Sequence, residues 1–136
     1  MNAAAPLDLQ EVIYVSTLAD DAPVRVVASI AHKARIYNQQ AQITGLLVFD
    51  GVHFCQQLEG RAAHIDAVMD RISQDPRHHQ LAVVHNGRLD KRRFHRFSLG
   101  YTSVEDIELL VRLQQLQGPA ALNAFLGLIG DLDLDS

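Results

Sequence analysis

The chain has 136 residues, 48% of them hydrophobic, with a formal net charge of −4 and a single cysteine. That suffices for one domain with one core, and it provides no global electrostatic drive toward nucleic acid or acidic membranes. Cys55 alone excludes an intramolecular disulfide and a cysteine-rich zinc site and fits a reducing compartment.

Met1 to Leu9 lacks the basic and apolar regions of a leader peptide, and no apolar run reaches the roughly 18 residues of a membrane span, so a cytoplasmic location is expected. Val12 to Val15 reads as a short strand. From Val24 to Ala41 the residues Val27, Ile30, Ala31, Ala34 and Tyr37 recur at helical spacing. Ile43 to Leu47 and Phe54 to Gly60 form two strands around Asp50-Gly51, a hairpin signal. Ile65, Val68, Met69 and Ile72 mark a second helix ending before Pro76. Leu81 to Val84 is a fourth strand, and Arg93 to Tyr101 a fifth, with Phe94, Phe97 and Leu99 directed inward.

The order βαββαββ predicts an α+β, ferredoxin-like sandwich: a mixed five-stranded sheet with two helices on one face. Val104, Ile107, Leu110 and Val111, then Leu122, Phe125, Leu126 and Ile129, mark two more helices joined at Gln117-Gly118-Pro119. These are expected to cap the open sheet face, dividing the chain into a domain at 1–102 and a helical cap with an acidic tail at 103–136.

Candidate chemistry is sparse. The seven histidines are scattered, so no metal site is expected. Cys55 alternates away from Gln56 and has no base beside it in sequence, so it is not read as a nucleophile. The misplaced polar residues are Tyr14 in an apolar strand, Asn38 on a helical stripe and Gln56 on a face shared with Phe54 and Leu58. Gln56 is either a core amide satisfied by backbone or a ligand group. A phenol and two amides together suit recognition of a heterocycle edge.

Between about residues 9 and 101 the chain resembles the BLUF family, bacterial sensors of blue light using flavin adenine dinucleotide. The motifs are Ile13-Tyr14-Val15-Ser16, Asn38, Ile43-Thr44-Gly45-Leu46-Leu47, Phe54-x-Gln56-x-Leu58-Glu59-Gly60, Asp75-Pro76-Arg77-His78, and Arg93 followed by Phe97-x-Leu99. The resemblance implies a non-covalent flavin between the two main helices, FAD by family, although the ring determinants would serve FMN as well. It implies that Tyr14 is the photoactive tyrosine and Gln56 the amide between it and the flavin. Asn38, Arg77 and His78 would bind the polar edge of the ring, and Ser16, Phe97 and Leu99 would form the relay. An excited flavin would draw an electron from Tyr14 while Gln56 relays the proton, and a rearranged amide would leave a red-shifted state without net chemistry.

Two departures concern the relay: Phe97 stands where most members carry tryptophan, and Leu99 where most carry methionine. Phe97 has no indole N–H and Leu99 no soft acceptor. Nothing catalytic follows residue 102, so a non-enzymatic photoreceptor is expected. It would signal through an unidentified downstream protein or through self-association as a dimer or larger assembly. The rival readings are a flavin-binding relative with impaired signalling and a ferredoxin-like module for another small ligand. The basic run of Arg88, Lys91, Arg92, Arg93 and Arg96 lacks interleaved aromatics and is read as a solvated edge, not a nucleic-acid surface.

Overall fold

The computed structural model describes residues 8–94, 99–106 and 108–130. Arg96, Phe97, Ile107 and the acidic tail 131–136 lie outside the described residues. The elements are β1 (Leu9–Leu18), α1 (Val26–Gln40), β2 (Thr44–Phe49), β3 (His53–Arg61), α2 (Ala62–Ser73), β4 (His78–Arg88), β5 (Gly100–Ser103), α3 (Glu108–Gln114) and α4 (Pro119–Gly130). The sheet order is β4-β1-β3-β2-β5, antiparallel throughout except for β5, which runs parallel to β2. The expected α+β, ferredoxin-like mixed sheet is therefore present, with β5 added at one edge.

Alternation in the central strands gives the sheet two apolar faces. Under α1 and α2, Val12, Tyr14, Leu58, Ile65 and Val68 form one cluster, and Leu47, Phe49, Phe54, Val27 and Leu99 another. On the opposite face Ile13, Val15, Leu46, Val48, Cys55 and Val84 pack against Leu110, Leu113, Ala121 and Phe125 of α3 and α4. The hairpin between β2 and β3 turns where Asp50-Gly51 predicts. Gly51 takes φ 99°, and Asp50 Oδ1 accepts the N–H groups of Val52 and His53 at 2.8 and 2.6 Å.

The fifth strand is shorter than its sequence suggests. It begins at Gly100, whereas Arg93 and Phe94 lie in the preceding loop. The cause is a competing acceptor: both their N–H groups donate to the carboxylate of Glu59, each at 3.1 Å. Glu59 is fully buried and also accepts from Thr44 Oγ1 at 2.9 Å and Gln57 Nε2 at 2.8 Å. The same Gln57 amide donates to the buried Glu11 at 2.8 Å, and Arg93 Nε pairs with that carboxylate at 2.5 Å. Arg92 bonds Thr44 Oγ1 and the carbonyls of Glu59 and Gln42. Two arginines of the supposed solvated edge thus clamp the loop to the sheet.

β4 is longer than Leu81–Val84, because pairing along β1 recruits its polar ends. It also carries two bulges. Ile13 pairs with His85 but Tyr14 with Val83, which leaves Val84 extra; Val15 pairs with Ala82 but Thr17 with His79.

Gly45 is required by close backbone approach. A Cβ there would lie 2.0 Å from the Gln57 carbonyl oxygen, a backbone atom that cannot move aside. Gly45→Ala should therefore cost at least the upper end of the roughly 1–3 kcal/mol typical of overpacking. Chemical denaturation of the variant checks this; an unchanged midpoint would show that β2 and β3 separate freely at this point.

Candidate functional site

A cavity of about 160 Å³ opens between α1 and α2 against the sheet. Its floor is a row of cross-strand neighbours. Tyr14 on β1 lies directly opposite Gln56 on β3, which lies opposite Leu47 on β2, and Phe54 flanks them. The unbroken β1–β3 register places the phenol and the amide on one face. The Tyr14 hydroxyl donates to Gln56 Oε1, with both residues 4% exposed. Since the phenol supplies the proton, the amide must present its oxygen, and among the described residues Gln56 Nε2 meets no acceptor. Burial pushes the Tyr14 phenol far above its ordinary range, with smaller contributions from Cys55 and Asp75. It is firmly neutral in the resting protein.

Asn38 reaches the site from the end of α1. Its carbonyl accepts the Ile43 N–H at 2.8 Å as the chain turns back into β2, and this holds the side chain, 1% exposed, at the cavity wall. Ile30, Ala34, Val68 and Ile72 supply apolar walls from the two helices. Such a slot, apolar on its sides and amide-bearing at its base, fits a flat heterocycle with carbonyl and N–H edges. That Gln56 Nε2 meets no acceptor among the described residues favours this fit.

His78 also lines the cavity, with its ring edge-on to Tyr14 and to Phe54 at 6.3 Å between centroids. Its Nε2 lies 2.6 Å from the Ile72 carbonyl, which can only accept, so Nε2 carries the hydrogen. In the neutral ring Nδ1 is then the acceptor, and the Ser16 hydroxyl donates to it at 2.8 Å. Ser16 is fully buried. Leu99 is buried beside Leu47 and Phe54, and its carbonyl accepts from Arg35 Nε at 3.2 Å. Phe97 lies outside the described residues.

Arg77 borders the cavity, but its guanidinium is held by Asp75 through a forked contact, Nη2 to Oδ2 at 2.6 Å and Nε to Oδ1 at 2.9 Å. The Arg77 hydrogen bonds hold the Asp75 carboxyl below its usual value, against the opposing effect of burial. A depressed carboxylate stabilises the fold above the unfolded value, about pH 4, and that contribution fades as pH falls below it. Stability measured between pH 6 and 3 should therefore slope less steeply in Arg77→Gln; identical slopes would show that the pair adds nothing.

Sequence reasoning missed the cations and the phenol at the mouth. Lys33 and Arg71 line it, and Arg71 stacks over the Tyr37 ring at 4.1 Å from its centroid. The spacing of Arg71 from Val68 along α2 was the available signal, but the pairing with Tyr37 across two helices was not visible.

These features define a ferredoxin-like module with an amide-floored cleft between its two principal helices. Residues 9–100 match the family described as sensors of blue-light using FAD. The chain belongs to the BLUF family of flavin-using blue-light sensors. It is 36% identical over 86 residues to the blue light- and temperature-regulated antirepressor BluF of Escherichia coli K12, a match covering 63% of this chain and 21% of that protein. The chain thus spans about a fifth of that relative's length. It superposes with a TM-score of 0.76 and 30% identity on the dark-state structure of BlrB, a BLUF protein, covering 92% of this chain and 97% of BlrB. BlrP1 of Klebsiella pneumoniae, solved with FMN and cyclic diGMP, gives a TM-score of 0.66 at 30% identity over 70% of this chain and 26% of its own. Among the described residues no helix is long and apolar enough to cross a membrane.

Proposed function

We propose that this chain is a blue-light photoreceptor in which Tyr14 and Gln56 form the light-driven switch, and that it signals by protein contact instead of by catalysis. The carrying observation is the buried hydrogen bond from the Tyr14 hydroxyl to Gln56 Oε1 at the cavity floor. A bound flavin supplies blue absorption and an excited state that accepts an electron. Tyr14, too deeply buried to ionise alone, gives up its proton only together with an electron, and Gln56 Oε1 is the acceptor within reach. An amide that has received a proton at oxygen can rotate or tautomerise, and its hydrogen-bond polarity toward the cavity then reverses. Asn38, Gln56 and His78 line the cavity as ring-binding groups, with Arg77 at its border held by Asp75; Ser16, Phe97 and Leu99 are assigned to the relay.

FAD is the assigned cofactor, and the FMN carried by the BlrP1 structure makes the mononucleotide the natural competitor. Residues 1–102 are assigned as the sensor and 103–136 as its helical cap and acidic tail. Output passes to a downstream protein or through self-association. Purified protein loaded with FAD should show a reversible red shift under blue light; a spectrum that does not change, or protein that retains no flavin, would overturn the reading. Asn38→Ala should weaken flavin retention several-fold, whereas Cys55→Ala, on the opposite face, should not. Equal occupancy of the two purified variants would remove Asn38 from the binding set.

A further inference from the structure

The two β4 bulges flank the partners of Tyr14 and Val15. One leaves Val84 extra; the other falls at Gln80–Leu81, where Gln80 adopts φ 56°. Bulged residues leave the ladder, and their carbonyls need donors from elsewhere. Both carbonyls find them in the helical cap. The Gly118 N–H donates to Val84 O at 2.8 Å, and Gln114 Nε2 donates to Gln80 O at 2.9 Å. The same Gln114 amide reaches Val15 O at 3.4 Å, which ties β1 to the clasp as well. Gly118 sits at φ 61° in the α3–α4 turn, a conformation that favours glycine. The strand segment bearing Tyr14 and Ser16 is therefore held on its β4 side by a helix–turn contact in addition to the sheet ladder.

We propose that this clasp couples the Tyr14–Gln56 pair to α3 and α4, with Gln114 as the positioning residue. A shift of Tyr14 along or across β1 changes how the bulged carbonyls meet Gln114 and Gly118, so α3 and α4 respond without any hydrogen bond from residue 97 or 99. The coupling is a property of the protein in the dark and is reciprocal: disturbing the clasp must disturb the switch. Its use in signalling rests on the light-sensing reading above.

The test uses the full FAD-loaded chain. Gln114→Ala removes the amide. Gln114→Glu keeps its length but, ionised, cannot donate. Gln115→Ala, at an exposed neighbour, is the control. In the dark, both Gln114 variants should move the nuclear magnetic resonances of the Tyr14 ring and the Gln56 side-chain amide. They should also speed hydrogen exchange at Gly118 about five- to tenfold, the factor that one net hydrogen bond is worth; Gln115→Ala should do neither. Unmoved Tyr14 and Gln56 resonances in Gln114→Glu overturn the coupling whatever light does. Under blue light, exchange in α3 and α4 should change in the unmodified chain, and this change should be lost in the Gln114 variants while their spectral shift persists. A spectral shift with no exchange response in the unmodified chain also overturns the inference. Absence of any spectral shift defeats the light-sensing reading instead, and the dark resonances still decide the coupling.

Discussion

Tyr14→Phe should leave flavin bound and eliminate the reversible light-induced shift. Phenylalanine fills the same place against Val12, Leu58 and Ile65, so the cavity floor keeps its shape. What disappears is the O–H that Gln56 Oε1 accepts, and with it the only proton in this pair that can travel with an electron. Gln56→Leu should have the same optical outcome by the opposite route, leaving the Tyr14 hydroxyl buried without its acceptor at a stability cost of about 1–3 kcal/mol. Difference spectroscopy before and after illumination checks both. A full-amplitude shift in either variant would mean that the switch lies elsewhere in the cavity.

Glu59→Leu should be among the most destabilising single substitutions in the sheet. The carboxylate gathers Thr44, the Gln57 amide and the N–H groups of Arg93 and Phe94, with essentially no exposure to solvent. Removing one member of a buried charged network costs about 3–5 kcal/mol, because the remaining members cannot all recover partners. For a chain of this size that corresponds to a fall of about 10 °C or more in Tm, measurable by thermal unfolding. Glu59→Gln, which keeps the shape and one acceptor oxygen, should lose less. A loss of less than about 1 kcal/mol in Glu59→Leu would mean that the Arg92 contacts, the Arg93–Glu11 pair and the packing of Phe94 hold the loop after β4 without the carboxylate.

Strong local patterns made the fold legible. Alternation in β2 and β3, helical stripes in α1 and α2 and the Asp50-Gly51 turn each follow from short-range sequence, and each is found in place. The pairing of a phenol with an amide was legible because both were polar intrusions on apolar strands; their exact register, Tyr14 opposite Gln56, follows from strand pairing. The start of β5 was not legible, because its cause is the carboxylate of Glu59, over 30 positions away, which captures the N–H groups of Arg93 and Phe94. The partners of Arg92 and Arg93 within the basic run were not legible for the same reason: Glu11 lies 82 positions from Arg93 but beside it in space. The β4 bulges escaped notice because no glycine or proline marks them; Gln80 accepts a left-handed conformation that its sequence does not advertise.

The sheet gives its two faces different partners, the cavity on one side and α3 with α4 on the other. In terms of sequence change, the strands form a wall across which most substitutions are not felt. Residues of the cap that touch only Cys55, Val48 or Phe125 can drift, provided volume is kept, without retuning the spectrum. Among the described residues, Gln114 and Gly118, which meet the bulged carbonyls, connect the two histories. A helical cap of different sequence grafted after β5 should therefore leave the spectral shift in place, and its own hydrogen exchange should respond to light only if it restores those two donors.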